Sequence, residues 1–336
     1  MKIRKLKIRN YKIFDDVEFD FTDAEGNTLD TIVLAGVNGC GKTTVLEVID
    51  KFFNHKFTTE FDQSEIEIEA EITLTKAEWD PALLDEMLEK RHVKFDVSHA
   101  GFFDLHNTLI RGMRIHSAGV YFPIKVEGHM NSNFEYLKIS EISRDLKDAK
   151  SKWLKIARDE VFGNKNLPPK NAIENQIQNL TITLSDLELN TRLVDIESEE
   201  LVFESANGQR IYFEQLSHGE QHLYFRAIYL SQLNLKDSII MVDEPEAAFH
   251  PTWQQKIAQL YRNVGENNQV IMATHSPHIM ASVPPECLFM LHIDESVGKR
   301  KIRVINAAKA GKHSQGLEPD RILKEIMQVK TMEHWI

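Results

Sequence analysis

The stretch Gly36-Val37-Asn38-Gly39-Cys40-Gly41-Lys42-Thr43 fits the spacing G-x-x-x-x-G-K-[ST]. Glycines there let the backbone wrap an anion, so that N–H groups and the start of a following helix point inward. Lys42 can bring a point charge to the β- and γ-phosphates of a nucleotide, and Thr43 a hydroxyl to Mg²⁺. Gly36, Asn38, Gly39, Cys40, Gly41 and Thr44 are the expected remaining contacts of the loop. The run "TIVLA" precedes it and an apolar stripe follows it, the strand and helix that such a loop needs. Nucleotide binding follows from this stretch alone.

Three further groups supply what a bound triphosphate would require. "SIIMVDEPEAAFHP" (238–251) delivers Asp243 to the end of an apolar strand, where it can hold Mg²⁺ through water. Glu244 is then placed to orient and deprotonate an attacking water. "LSHGEQ" (216–221) puts Ser217, Gly219 and Glu220 at the opening of a helix, a second phosphate-binding terminus. One chain cannot easily aim two such termini at one triphosphate. A two-fold dimer solves this, with Ser217 and Gly219 of one copy closing on the γ-phosphate held by the other. Finally, "ATHSPHIM" (273–280) ends a strand with His275, which can hydrogen-bond the γ-phosphate or the water.

The elements that must position these residues are of two kinds. "TIVLAG" (31–36), "SIIMVD" (238–243) and "QVIMATH" (269–275) are unbroken apolar runs, suited to parallel strands covered on both faces. "KLKIR" (5–9), "VEFDF" (17–21) and "SEIEIEAEITLT" (64–75) alternate apolar with polar, as half-buried strands do. Val45, Val48, Ile49, Phe52 and Phe53 form one helical stripe, and Trp253, Ile257, Leu260 and Val264 another. "LVFESANGQRIYF" (201–213) predicts a hairpin about Asn207-Gly208. Between 80 and 180 the pattern turns helical. "DPALLDEMLEK" opens on Asp80 and Pro81, "SRDLKDAKSKWLKIARDEVF" (143–162) keeps helical spacing, and "NLPPKN" (166–171) breaks it.

Taken together, "GVNGCGKTT", "LSHGEQ", "IIMVDEPE" and "THSP" resemble the ATP-binding cassette ATPase head. The Asn-Gly of the loop, the N-terminal "IRNYKIFDDVEFDF", "DEPEAAFHP" and "ATHSPHIM" resemble its SMC/RecF/OLD branch more narrowly. The resemblance covers about 1–55 and 200–295. It implies an α/β P-loop NTPase fold with a mixed sheet, ATP and Mg²⁺ as ligands, and two heads joined by ATP and released by hydrolysis. It also implies that Lys12, in the "NYKIF" turn, lies close to the base or ribose. Two departures stand out. Most of this branch places a Gln after the loop helix, yet no Gln occurs between Gln63 and Gln176. OLD nucleases append a TOPRIM domain with an Asp-x-Asp pair, whereas 41 residues follow Glu295 and hold no such pair. A stand-alone OLD-like ATPase without its own nuclease is the expectation.

Bulk composition bounds the remainder. With 42% apolar and 27% charged residues the chain has the make-up of an ordinary globular protein. No apolar run approaches a bilayer span, so no membrane partner is expected. Two cysteines, Cys40 and Cys287, give no disulfide framework, and a cytoplasmic location follows. The net charge of −11 argues against a surface that coats nucleic acid. "GKRKIR" (298–303), Lys309, Lys312 and His313, with Lys2, Arg4, Lys5, Lys7 and Arg9, could still form a local DNA contact, or simply a solvated hairpin.

These observations divide the chain into a nucleotide-binding core (1–79 and 200–315), a mostly helical inserted lobe (80–199) and a C-terminal helical tail (316–336). In that tail Leu317, Ile322, Leu323, Ile326 and Met327 serve either core packing or a partner. The expected function is a Mg²⁺-dependent ATPase that dimerises around ATP and regulates a separately encoded effector, a nuclease or toxin, in bacterial anti-phage defence. The alternative is a RecF-like clamp on duplex DNA in repair; a transporter module is the least favoured.

Overall fold

The structure, a computed structural model, describes residues 2–53, 65–71, 92–97, 119–122, 134–136, 155, 169–197, 200–231, 235, 238–247, 249–294 and 301–327. The expected helices at 80–90 and 143–162 (Lys155 apart), Gln63, residues 298–300 and the tail from 328 lie outside them. Two compact units emerge, one from 1–137, 236–245 and 267–336, the other from 138–235 and 246–266.

In the first unit, strand β1 (Lys2–Tyr11) turns through Lys12 and Ile13 into antiparallel β2 (Phe14–Asp20). Its other edge pairs with β4 (Glu65–Glu71), and β5 (His92–Val97) follows β4, so the order is β2-β1-β4-β5. The alternation expected for these segments is present: Leu6 and Ile8 are fully buried, as are Ile68 and Ala70. One irregularity was not anticipated. Ile3 is also buried, three residues before Leu6, and a register shift between Ile3 and Lys5 absorbs the extra residue.

The apolar runs form the centre of a second, seven-stranded sheet. Its order is β14 (Lys301–Asn306), β13 (Leu288–Asp294), β3 (Thr31–Gly36), β12 (Gln269–Thr274), β11 (Ile239–Asp243), β6 (Gly119–Phe122) and β7 (Phe134–Tyr136). Pairing is parallel throughout except for the β13–β14 hairpin. Every residue of β3, β11 and β12 is buried, which is why none of the three alternates. Helix α1 (Lys42–Phe53) packs on these strands through Val45, Val48 and Ile49. Strands β5, β6 and β7 come from a stretch expected to be mostly helical. "GVYF" and "FEY" are too short for periodicity to register, and pairing to a buried neighbour decides their conformation.

Gln269 ties β1 into this sheet. Its buried amide accepts from the Ile3 N–H (2.8 Å) and donates to the carbonyls of Ile3 (2.8 Å) and Leu29 (2.9 Å). Gln269→Leu keeps the volume but orphans three buried backbone groups. It is expected to destabilise the fold by about 2–5 kcal/mol, checked by urea unfolding.

The second unit holds α2 (Pro169–Leu184), the antiparallel sheet β8 (Thr191–Glu197), β9 (Glu200–Ser205) and β10 (Arg210–Tyr212), and α3 (His218–Ser231). Pro169, inside the expected break, opens α2 at a position where its missing N–H costs nothing. The predicted β9–β10 hairpin forms, with Gly208 at φ +79°. Phe203 fills the space beneath it, edge-on to Tyr224 of α3 at 4.7 Å. Short helices α4 (Pro251–Gln254) and α5 (Ile257–Arg262) complete the unit. In the first unit, α6 (Pro277–Ser282) packs against the 322–326 turn, whose Ile322 and Ile326 are fully buried and so belong to the core.

Candidate nucleotide-binding site

The loop leaves β3 at Gly36 and enters α1 at Lys42. Two glycines are sterically obligatory. A Cβ at Gly36 would stand 2.5 Å from the Leu291 carbonyl of β13 and 2.6 Å from Cys40 Sγ. Gly41 has φ +100°, and a Cβ there would meet the Phe14 ring at 2.5 Å and Ile13 at 2.8 Å. The "NYKIF" turn is therefore a wall of the loop. Gly41→Ala is expected to cost at least ~10-fold in nucleotide affinity by displacing the Lys42 backbone, measured by titrating a fluorescent ATP analogue.

Between these fixed points Val37, Asn38 and Gly39 are exposed, while Cys40 is fully buried, and burial raises its thiol pKa despite the Lys42 charge. Buried Lys42 folds its ammonium onto the carbonyls of Gly36 (3.0 Å) and Val37 (3.2 Å). Those acceptors hold the charge over the loop, where phosphate oxygens can compete for it. Thr44 lies half-buried in the first turn of α1.

Thr43 and Asp243, 200 positions apart, meet directly, the Thr43 hydroxyl donating to Asp243 Oδ2 at 2.9 Å. Asp243 is the last residue of buried β11, so its carboxylate emerges at the carboxyl edge of the sheet. A hydroxyl and a carboxylate converging beside a phosphate loop form a hard oxygen donor set that suits Mg²⁺.

Glu244 follows in a left-handed conformation, φ +46°, with its N–H bonded to the Ala273 carbonyl at 2.8 Å. A non-glycine residue there costs about 1 kcal/mol, and such strain gathers at sites where a side chain must be aimed. His275 leaves the neighbouring strand β12. Ser276 fixes its exit: its N–H bonds Thr274 Oγ1 (2.9 Å) and its hydroxyl caps α6. Burial first, and then the Lys42 charge, lower the His275 pKa against an opposing pull from Glu244. A neutral imidazole has one donor and one acceptor, as a group reading a phosphate or a water needs.

Lys12, expected near the base or ribose, donates to Glu47 of α1 at 2.5 Å and overlies the Tyr11 ring. Ser217 and Glu220 lie in the second unit, where each caps the other. Ser217 Oγ donates to Glu220 Oε2 (2.7 Å), the Glu220 N–H points back at Ser217 Oγ (3.3 Å), and Thr191 Oγ1 donates to Glu220 Oε1 (2.8 Å). Gly219 lies in the same first turn of α3. Arg226 anchors α3 to the segment after Glu244, on the Phe249 ring (4.8 Å) and the Tyr261 hydroxyl (3.0 Å). Gln269, Leu291, Glu47 and Arg226 were not singled out from sequence. A lone Gln, Leu, Glu or Arg carries no local signal, and only tertiary contact reveals its use.

Two family models match the chain, an "AAA ATPase domain" over residues 1–96 and an "AAA domain, putative AbiEii toxin, Type IV TA system" over residues 122–281. Among solved structures, an SMC head bound to the C-winged helix domain of ScpA superposes with TM-score 0.56 at 16% identity, over 92% of this chain and all of that one. The SMC head domain from Thermotoga maritima does so with TM-score 0.51 at 14% identity, over 91% and 99%. The likeness to SMC heads and the two ATPase-domain matches fit an α/β P-loop ATPase fold.

Septu protein PtuA of Bacillus thuringiensis resembles this chain at 23% identity, over 97% of the chain and 84% of its own length. A Septu protein PtuA of Bacillus mycoides is 23% identical over 82% of the chain, which spans 38% of that relative. The "Retron Vc95 probable ATPase" of Vibrio cholerae is 33% identical, over 24% of the chain and 18% of its own length. Among the described residues, no helix is long and apolar enough to cross a membrane.

Proposed function

We propose that the chain hydrolyses ATP with Mg²⁺, that ATP joins two copies, and that the joined state regulates a separately encoded nuclease or toxin in bacterial anti-phage defence. The meeting of Thr43 with Asp243 beside Lys42 carries the nucleotide half of this reading. Likeness to Septu protein PtuA over nearly the whole chain supports the defence half.

In this account Gly36, Asn38, Gly39, Cys40, Gly41 and Thr44 shape the cradle, and Lys42 trades its carbonyl partners for phosphate oxygens. Thr43 and Asp243 would hold Mg²⁺, which when bound neutralises phosphate charge. Glu244 takes the proton of the attacking water, and His275 hydrogen-bonds the γ-phosphate. Ser217 and Gly219 of a second copy close on that phosphate, with Glu220 holding Ser217 in place. Lys12 borders the nucleotide on the α1 side.

A clamp on duplex DNA finds less support. Of the basic residues assigned to such a patch, Lys2, Arg4, Arg9, Lys301, Arg303 and Lys309 each pair with a carboxylate, so their charge is partly spent. The discriminating experiment purifies Glu244→Gln from its own cells with ATP and Mg²⁺. A nuclease or toxin in stoichiometric amount is expected; recombination proteins, or DNA alone, would favour the clamp.

A further inference from the structure

The proposed function leaves one side-chain cluster unused. His218 and His222 stand one turn apart on α3, with ring centroids 4.5 Å apart and planes inclined by 74°. Their Nε2 atoms face one another at 3.3 Å. Two imidazole nitrogens bound to one tetrahedral zinc at about 2.0–2.1 Å are separated by about 3.3–3.4 Å. The nitrogen separation therefore matches that of a two-histidine clamp, and a small rotation of the rings would aim both lone pairs at one ion.

We propose that His218 and His222 form a binding site for a borderline divalent cation of the Zn²⁺ class, ligated through both Nε2 atoms. The i, i+4 spacing puts both rings on one helix face, so the helix preorganises the chelate. His222 Nδ1 is buried with no hydrogen-bond partner among the described residues, so a metal on Nε2 would hold an unsatisfied N–H there and bind more weakly than at a fully supported site. Burial, then the charge of Arg226 and then that of His218, push the His222 pKa down to about 4. The Arg226 charge one turn further on disfavours any dication. It excludes a hard ion held by charge more strongly than one held by imidazole. No set of three or more His, Cys, Asp or Glu converges among the described residues. Water must fill the other positions, which makes the site weaker than a closed structural zinc site.

The test is Zn²⁺ titration of the full chain by calorimetry without nucleotide, so the outcome is independent of the proposed ATP chemistry. Co²⁺ is added in parallel, to read its visible bands. Wild type is expected to bind one Zn²⁺ per chain. His218→Gln and His222→Gln should each weaken binding at least tenfold, and the double variant should be no weaker than either single one. Co²⁺ should give nitrogen-ligand bands without thiolate charge transfer. Circular dichroism and melting of the variants control for folding. Equal affinity in wild type and both variants, or no heat above the dilution baseline, overturns the site and leaves only a hydrogen bond between two histidines.

Discussion

Glu244→Gln is expected to lower ATP turnover by at least ~10²-fold, about 2.7 kcal/mol of barrier, while ATP affinity stays within a few-fold of wild type. The amide has the shape of the carboxylate but cannot accept the proton of the attacking water. The elements proposed to bind the nucleotide do not depend on it: Lys42 rests on the carbonyls of Gly36 and Val37, and Thr43 on Asp243. The left-handed backbone at Glu244 is held by its own N–H on Ala273, which the substitution leaves in place. Phosphate release measures turnover, and a fluorescent ATP analogue measures affinity. Wild-type turnover in the variant would remove Glu244 from the reaction.

Ser217→Arg is expected to abolish hydrolysis while leaving ATP binding intact, because the phosphate loop belongs to the other unit of the chain. Ser217 is exposed at the start of α3, so a large side chain there meets solvent in a single copy. Only in the joined state would it meet a phosphate. The change also removes the N-cap on α3, costing about 1 kcal/mol, so a melting curve must accompany it. Complementation separates the two effects. Lys42→Ala should also be inactive. An equal mixture of the two variants should recover about a quarter of wild-type turnover, since half the pairs are mixed and each has one intact composite site. No recovery in any mixture would contradict sites shared between copies.

Much of the frame was legible in the sequence, for physical reasons. Apolar runs at 31–36, 239–243 and 269–274 can only be strands buried on both faces, and they form the parallel centre of the sheet. Glycine spacing and Lys42-Thr43 located the loop, and Asp243 was read from its place at the end of a buried strand. Other features are invisible locally. Gln269 reads as the polar start of a strand until Ile3 and Leu29 arrive to need its amide. The wall that Ile13 and Phe14 make against Gly41 depends on a turn 28 residues away in sequence. The i, i+4 spacing of His218 and His222 is plain in "HGEQH", but a helical pair acquires meaning only when its nitrogens are seen to converge.

ATP joining two copies is the central step of the proposed function, and light scattering of Glu244→Gln tests it most directly. With ATP and Mg²⁺ the particle should have twice the mass of one 38.8 kDa chain, and Ser217→Arg in the same background should return it to one. A mass of one chain at saturating ATP, or of two chains unaffected by ATP or by Ser217→Arg, would contradict it.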